Sequence, residues 1–423
     1  MIAFLIASAL LTSDHFHYDG NKAHLEGHVS LDHPWGKILS DKADLEYDPK
    51  KQKGPFSQIE LQGNVDLKKE TLSIKCDRAS LNCLKGEGVF WGAPILKAFY
   101  IIKEKSFYLE SKEAWVKVVN NELNELIASG DVKIEWDKRI KASGPYLYVT
   151  RADTQYIIEL KPDPIVVLDD IHEIKGTQVK LKSQDEAVEV EKPRGKLKQG
   201  EIEIEADHMV WAGSILTLKG NVKIRLKDQG TLMTDSTLRL KRGSDLVWET
   251  VEVDGPLSFS KVESDKEKSF NLIASKGAFG NLRNHEITFY SQPGKPVHLI
   301  DALGEAYGDT LTLYYKEKAL DKVVLQGDVY LSHILNSEVE RSYARADQVS
   351  YDPKIYETIL ESKDGRVFIF DKVNQVEVSA PRIRLIRDPV TKKESIKGEG
   401  DVRFELLQNE FLELKKRFKF EES

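Results

Sequence analysis

Few residues in this sequence have the types and spacing that chemistry requires. His15 and His17 are two residues apart, so in a strand both rings lie on the same face and could be two ligands of a metal site. No cysteine or regularly spaced carboxylate accompanies them, so exposed strand histidines are the plainer interpretation. The adjacent carboxylates Asp169 and Asp170 are typical of a solvated strand face. We therefore expect no metal site and no cofactor.

Signatures of catalysis are missing as well. The 423 residues contain no GxSxG nucleophile elbow, no phosphate-binding loop, no dinucleotide fingerprint and no HExxH motif. Polysaccharide lyases and glycosidases do place convergent carboxylates on repetitive β scaffolds, so a carbohydrate enzyme is one alternative. The sequence favours a protein that is not an enzyme.

The only two cysteines are Cys76 and Cys83, both on the apolar phase of their strands. They could face each other across a hairpin and form a disulfide in an oxidising compartment. Buried free thiols are the interpretation that the sequence favours.

Charge is spread over the whole chain. There are 62 lysines and arginines against 69 aspartates and glutamates, which gives a formal net charge of −7. The two signs are interleaved and form no basic stripe of the kind that nucleic acid binding requires. We therefore expect no nucleic acid partner.

The chain opens with the uncharged apolar run MIAFLIASALL. This run is too short to span a bilayer. With Ala7 and Ala9 as a small-residue cleavage pattern, it is typical of the hydrophobic part of a secretory signal, although the usual basic start is missing. Segment 1–12 therefore predicts export, and a buried first strand is the alternative.

A seven-residue phrase returns along the chain. It places Gly, then usually Asn or Asp, then Val between alternating apolar residues. Gly in this position allows a positive φ or a bulge that turns the strand. Repetition of one β unit points away from an enzyme with a single pocket. The copies are LEGHVSL at 25–31, LQGNVDL at 61–67, ASGDVKI at 128–134, LKGNVKI at 218–224, LQGDVYL at 325–331, GEGDVRF at 398–404 and the degenerate VDGPLSF at 253–259.

The dominant period of the sequence is two residues. In 72–76, for example, Leu72, Ile74 and Cys76 alternate with polar residues, and 222–226 and 310–315 repeat the pattern. Such alternation predicts half-buried strands. The fold class is therefore all-β, built from repeated antiparallel strand meanders. Only the C-terminal tail, 405–423, has apolar residues near helical spacing, and a short helix is one interpretation of it.

The spacing of the repeated glycines suggests two halves. Gly27 and Gly63 are 36 residues apart, whereas Gly130 and Gly220 are 90 apart. The longer interval contains a polar stretch, so we interpret 185–200 as a long loop or a domain junction. The predicted domains are 13–190 and 200–404.

A second phrase, Ala-Asp followed by Tyr or Trp, recurs at 43–47, 206–211 and 346–351. A Leu-x-Gly-Asn/Asp-Val phrase recurs at 61–65, 218–222 and 325–329. In this order the two phrases resemble the OstA-like family of lipopolysaccharide-transport proteins, which includes a periplasmic bridge protein. The resemblance is strongest over 15–150 and 200–335, and the chain is much longer than the single-domain bridge protein.

The resemblance implies an elongated, open, twisted β-jellyroll, here in two tandem OstA-like domains, whose apolar interior holds lipid acyl chains. It implies a periplasmic protein in the cell envelope of a Gram-negative bacterium. Such a protein conveys lipopolysaccharide from the inner to the outer membrane through the groove, without covalent chemistry. Its implied partners are lipopolysaccharide, bound by the lipid A acyl chains, and other β-jellyroll transport proteins, including copies of itself.

The candidate lining of the lipid groove is the set of inward-facing apolar residues. A filled sandwich core presents the same pattern, and sequence does not separate the two. The candidates are Leu25, Val29, Leu31, Ala43, Leu45, Tyr47, Leu61, Val65, Leu67, Leu72 and Ile74 in the first half, and Met209, Trp211, Leu216, Leu218, Val222 and Ile224 in the second.

Open jellyrolls leave unpaired edge strands, which can pair with another chain. The terminal strands near 15–31 and 398–406 are the predicted edges, unless charges and the tail cover them. A repetitive β structural or adhesion protein of the envelope is the alternative to a lipid carrier. A carrier requires an apolar trough between splayed sheets, whereas a structural array has a filled core.

Overall fold

The computed structural model describes residues 11–406 except for short gaps. The gaps are residues 34, 47–55, 103, 121, 198–200, 228, 263–268, 303, 317–318, 336–338, 373–374, 389 and 392–393. The described residues form strands and turns, and none of them forms a helix that could cross a membrane. Every described strand pair is antiparallel, so the predicted all-β fold of antiparallel meanders is confirmed.

Two predictions fall on the ends of the chain. Residues 1–10 of the predicted signal and 407–423 of the predicted helical tail lie outside the described residues. Residues 11–12 and 403–406, next to these ends, are strands.

The chain divides into two compact units. Unit 1 contains Met1–Gly200 and His208–Gly213, and unit 2 contains Glu201–Asp207 and Ser214–Ser423. The long loop considered for 185–200 is wrong, because Ala187–Glu191 and Arg194–Leu197 are strands. The polar residues that suggested a loop are the outward-facing half of an alternating pattern. Independent domains at 13–190 and 200–404 stay a prediction.

Unit 1 consists of short first strands, then eight long strands, then short strands again. The strands are β1 (Leu11–Thr12), β2 (His15–Tyr18), β3 (Lys22–His33), β4 (Gly36–Glu46), β5 (Gln58–Lys69), β6 (Leu72–Asn82), β7 (Glu87–Ile102), β8 (Lys105–Val119), β9 (Glu122–Trp136), β10 (Ile140–Ala152), β11 (Gln155–Lys161), β12 (Ile165–Leu168), β13 (His172–Lys175), β14 (Gln178–Lys182), β15 (Ala187–Glu191), β16 (Arg194–Leu197) and, after one strand of unit 2, β18 (His208–Ala212).

Unit 2 contains two long strands among many short ones. They are β17 (Ile202–Glu205), β19 (Ile215–Lys219), β20 (Val222–Leu226), β21 (Gly230–Thr234), β22 (Thr237–Arg242), β23 (Trp248–Asp254), β24 (Leu257–Lys261), β25 (Phe270–Ala274), β26 (Gly277–Asn281), β27 (Glu286–Tyr290), β28 (Val297–Asp301), β29 (Gly304–Gly308), β30 (Thr310–Lys316), β31 (Ala319–Leu335), β32 (Val339–Asp352), β33 (Glu357–Glu361), β34 (Val367–Asp371), β35 (Val376–Ala380), β36 (Arg382–Arg387), β37 (Glu394–Glu399) and β38 (Arg403–Leu406).

Unit 1 is a meander folded into two layers. Strands β3 to β10 pair in sequence, and the register of every pair shifts at a bulge near the middle. The bulges lie side by side and form a line across the sheet, here called the seam, where the sheet bends. The two parts of β10 belong to different layers. Residues 146–152 pair with β11, and layer 1 continues from there through β14, β15 and β18. Residues 140–143 pair with β12, and layer 2 continues through β13 and β16.

The chain changes layers along the seam. After β10 it crosses at 162–164, 176–177 and 192–193, each next to strand ends that pair at the seam. The hairpin turns of both layers lie at the opposite edge, here called the rim. The layers of unit 1 are therefore joined covalently at the seam, whereas the rim is formed by turns.

The repeated glycine phrase builds the seam. Gly63 and Asn64 both have positive φ, at 74° and 48°, and five copies share this left-handed pair. Two residues of the bulged strand then oppose one on its neighbour, which bends the strand. The other pairs are Gly27–His28, Gly130–Asp131, Gly220–Asn221 and Gly327–Asp328.

Unit 2 has the same organisation. In one layer, neighbouring strands pair in the order β19, β22, β23, β26, β27 and β30. In the other layer, they pair in the order β17, β20, β21, β24, β25, β28 and β29. The long β31 pairs with both layers, and β32 continues into β33 and β34 on its two halves. At the chain's ends, β1, β2, β37 and β38 each pair with a single described strand.

Candidate functional site: the interior between the layers

The predicted lining residues face the interior. All of them are at most 5% exposed except Leu72, which is half-buried, and Tyr47, which lies outside the described residues. Strict alternation along the strands explains their burial, because one face of each strand is covered by the other layer. Whether the interior admits lipid is a separate matter, and the groove stays a prediction.

In layer 1 of unit 1, the interior face carries an unbroken row of apolar side chains. Its members are direct partners on twelve neighbouring strands, and each is at most 3% exposed. The row is Leu25, Ala43, Leu61, Ala79, Phe90, Ala114, Ala128, Leu147, Leu160, Val179, Val190 and Met209.

Layer 2 carries a second such row. Its buried members are Leu31, Ile38, Leu67, Ile74, Ala98, Leu109, Ile134, Ala142, Val166 and Ile174. The sequence prediction named residues at both ends of the first row but only at the β3–β6 end of the second. The remaining members have the same alternation, which was the available signal, and most of them lie outside the repeated phrases; Ala128 and Ile134 are exceptions, since they belong to the copy at 128–134.

Side chains of the two layers meet across the interior. In unit 1 the rings of His172 on β13 and Trp211 on β18 have centroids 5.0 Å apart. In unit 2 the rings of Phe259 and Phe289, also from opposite layers, are 6.1 Å apart. The interior is thus closed by side chains at these points.

The rim of unit 1 is closed by polar contacts between turns of opposite layers. Glu186, in the β14–β15 turn of layer 1, forms ion pairs with Lys105 and, at 3.7 Å, with Arg139. Both partners belong to layer 2, where Lys105 is the first residue of β8 and Arg139 lies in the β9–β10 turn. The hydroxyl groups of Tyr100 and Tyr156 lie 3.5 Å apart across the same edge. Burial, and then the contact with Tyr100, raises the pKa of Tyr156, so this phenol stays protonated.

Trp35 fills the space between the layers near another part of the rim. It lies in the β3–β4 turn of layer 2, and a Cβ added to Gly88 of layer 1 would lie 2.8 Å from Cζ3 of its indole. Glycine at position 88 therefore makes room for this ring. The neighbouring His33 is partly buried, and burial lowers its pKa to about 4.

The interior of unit 2 is less completely covered in one stretch. Leu299, Ala306 and Leu331 are direct partners on β28, β29 and β31, and they face the interior. All three are only half-buried, whereas Leu272, one strand earlier in the same row, is 0% exposed. Solvent thus reaches the apolar row near its β28–β31 segment.

The cysteines do not face each other. Cys76 lies on β6 opposite Val65 of β5, and Cys83 directly follows the same β6 strand. The predicted hairpin between them is wrong because one long strand occupies the segment. Both are free thiols, and burial raises the pKa of Cys76 to about 12 and that of Cys83 to about 11. Free thiols are therefore the confirmed alternative, and Cys76 is buried whereas Cys83 is half-buried.

The predicted histidine pair, His15 and His17, lies on an exposed strand. His15 and His17 are exposed on β2, and no metal-binding group of three or more suitable residues lies within the described part of the chain. His28 lies at the seam, and its Nδ1 forms a hydrogen bond of 2.7 Å with Oδ2 of Asp14. This hydrogen bond raises the pKa of His28.

The second sequence phrase combines two different positions. Asp207 and Asp347 lie at the seam, beside the left-handed pairs at 220–221 and 327–328. Asp44 lies three residues beyond the seam and pairs with His24. The residue equivalent to Asp207 is Asp41, whose Oδ2 accepts a hydrogen bond from Asn64 at 2.9 Å.

Comparison with known proteins gives a partial likeness among the solved structures. No known family matches the sequence, and no curated protein matches it. Among solved structures, a similar one is the crystal structure of LptH, the LptA homologous periplasmic component of the conserved lipopolysaccharide transport device from Pseudomonas aeruginosa. The match has 12% identity, covers 34% of this chain and 99% of that chain, and has a TM-score of 0.27. At this TM-score the likeness supports no conclusion about function.

Proposed function

We propose that this protein is a carrier that holds lipid acyl chains between its two β layers. The observation that supports the proposal is the pair of unbroken apolar rows in unit 1, on layers joined by the chain at the seam but meeting at the rim through side chains. A fold hinged in this way can part along one edge without breaking its strand ladders.

The energetics favour exchange of side-chain contacts for lipid. An exposed ion pair contributes only about 0.2–1 kcal/mol, so the polar contacts at the rim are weak. Burial of an acyl chain gains about 0.8 kcal/mol per methylene. A lipid with several chains can therefore offset both the rim contacts and the rearrangement of the interior.

The lipid that we propose is lipopolysaccharide, bound through the acyl chains of lipid A. The repeated phrases and the apolar N-terminal run support this choice, together with a location in the periplasm of a Gram-negative bacterium. The protein would act as a bridge towards the outer membrane without covalent chemistry. Its terminal strands, each with one described partner, are suited to pairing with further jellyroll proteins or copies of itself.

A structural protein of the cell envelope is the second candidate. The near-complete burial of both rows in unit 1 favours it, because a permanently filled core needs no ligand. The two functions differ in whether the interior exchanges its contents.

Native mass spectrometry of the full chain separates these functions. We expect lipid A to add its mass in a discrete stoichiometry, whereas the same sugar phosphate without acyl chains adds none at equal concentration. Absence of any lipid A adduct, or equal binding of both compounds, would contradict an acyl-chain carrier.

A further inference from the structure

The outer face of unit 1 carries a polar row beside the seam. Lys42, Gln62, Arg78 and Trp91 are direct partners on β4, β5, β6 and β7, and Glu26 extends the row onto β3. Each alternates with a buried residue of the interior row, so this row faces away from the proposed lipid site. A second outward-facing row consists of His24, Asp44 and Glu60. The two rows together line a cleft of about 730 Å³.

One end of this cleft is internally paired. Lys42 Nζ donates to Glu26 at 2.8 Å, and Nδ1 of His24 lies 2.7 Å from Asp44. Glu60 accepts a hydrogen bond from Ser80 at 2.6 Å. These side chains are therefore held in place by cross-strand contacts.

The end at Trp91 is different. Within the described chain, Gln62, Trp91 and its direct partner Glu113 form no side-chain hydrogen bond, and Arg78 has only its neighbour Asp77 at 3.6 Å. The indole of Trp91 thus lies between the direct partners Arg78 and Glu113, and the amide of Gln62 lies one strand beyond Arg78. All three polar side chains have hydrogen-bonding capacity to spare. This set offers both donors and acceptors next to one aromatic ring.

We propose that this cleft binds an oligosaccharide, with one sugar ring stacked on Trp91. A sugar ring has an apolar C–H face and a rim of hydroxyl groups that both donate and accept. The negative face of an indole attracts such C–H groups, while Arg78, Gln62 and Glu113 match the hydroxyl rim.

The charge of the cleft favours an uncharged sugar over a phosphate-rich ligand. Its lining has two cations, Lys42 and Arg78, against the three carboxylates of Glu26, Asp44 and Glu60. A polyanion would meet these carboxylates at close range, whereas neutral hydroxyl groups can pair with either sign.

The same chemistry could come from the sugar part of a glycolipid or from cell-wall glycan. We would therefore titrate the full chain with two lipid-free probes, the core oligosaccharide of lipopolysaccharide and glycan strands from peptidoglycan, using isothermal calorimetry. Binding of either probe supports the proposal, and the tighter one identifies the source. No binding of either would overturn it.

The matched variants are Trp91→Ala and Trp115→Ala. Trp115 lies on the next strand, β8, on the same outer face but outside the cleft, opposite Val89. We expect W91A to weaken binding about ten-fold or more through loss of the stacked ring, and W115A to leave it unchanged. Equal loss in both variants would overturn the proposal. Lipid A binding should survive W91A, because it concerns the opposite sheet face.

Discussion

At the scale of single residues, the repeated phrase is a bending device. Gly63 and Asn64 adopt left-handed backbone conformations, and Asp41 on the neighbouring strand binds the Asn64 side chain. Asn and Gly are the residues that reach this conformation most easily. The phrase therefore recurs because the seam needs the same bend on several strands.

Substitution at the seam should destabilise the protein in a position-dependent way. Gly63→Ala forces a side chain into positive φ and places its Cβ 2.4 Å from Oδ2 of Asp41. Gly213→Ala is the matched control, since Gly213 has φ +56° but nothing within 4 Å of the added Cβ. The backbone strain is about 1–2 kcal/mol in both, so G63A should lose more free energy of unfolding in urea titrations. Equal losses would contradict the role of the packed Asp41.

Part of this residue-level picture was available from the sequence. The Gly-Asn-Val phrase correctly indicated a strand that bends, because Gly and Asn are the residue types that most readily adopt positive φ. The sequence did not indicate the acidic partner of Asn64, which is Asp41, whereas Asp44 of the Ala-Asp phrase pairs with His24. Partners across strands depend on register, which a single phrase does not contain.

At the scale of elements, the seam and the rim differ in strength. The chain itself connects the layers at the seam, whereas Glu186, Lys105, Arg139 and the tyrosine pair connect them at the rim. Contacts between turns of this kind are partly exposed and individually weak. The rim is therefore the edge at which the layers should part first.

Removal of the Glu186 charge should loosen the rim. We expect Glu186→Gln to speed hydrogen exchange of backbone amides around 100–107 and 153–158 by about two- to five-fold, because two weak ion pairs are lost. Glu189→Gln is the control, since Glu189 pairs with Lys182 within layer 1, at 2.6 Å. If E189Q changes these segments as much as E186Q, the rim contacts have no special role.

Strand type was predictable because alternation of apolar and polar residues persists for whole strands. The interpretation of 185–200 as a loop was wrong. It relied on the many charged residues in and around β15, which is a strand. Those charges occupy only the outward face. The cysteine hairpin failed because β6 runs on to Asn82, almost to Cys83, and strand length cannot be read from two positions.

At the scale of the whole molecule, both units use one plan, in which two layers enclose an apolar interior. The plan could be predicted from repetition and period, but the degree of closure could not. Closure depends on which rings meet across the layers, such as His172 and Trp211, and these lie far apart in sequence. The half-buried row at Leu299, Ala306 and Leu331 likewise has no sequence signal.

Photocrosslinking in cells shows whether lipid lies between the layers. A photoreactive residue at the inward Leu67, which is 0% exposed, is compared with one at the adjacent, outward and exposed Lys68. We expect lipopolysaccharide to be captured from position 67 and not from position 68. Capture from position 68 alone, or from neither position while the protein is folded, would contradict this expectation.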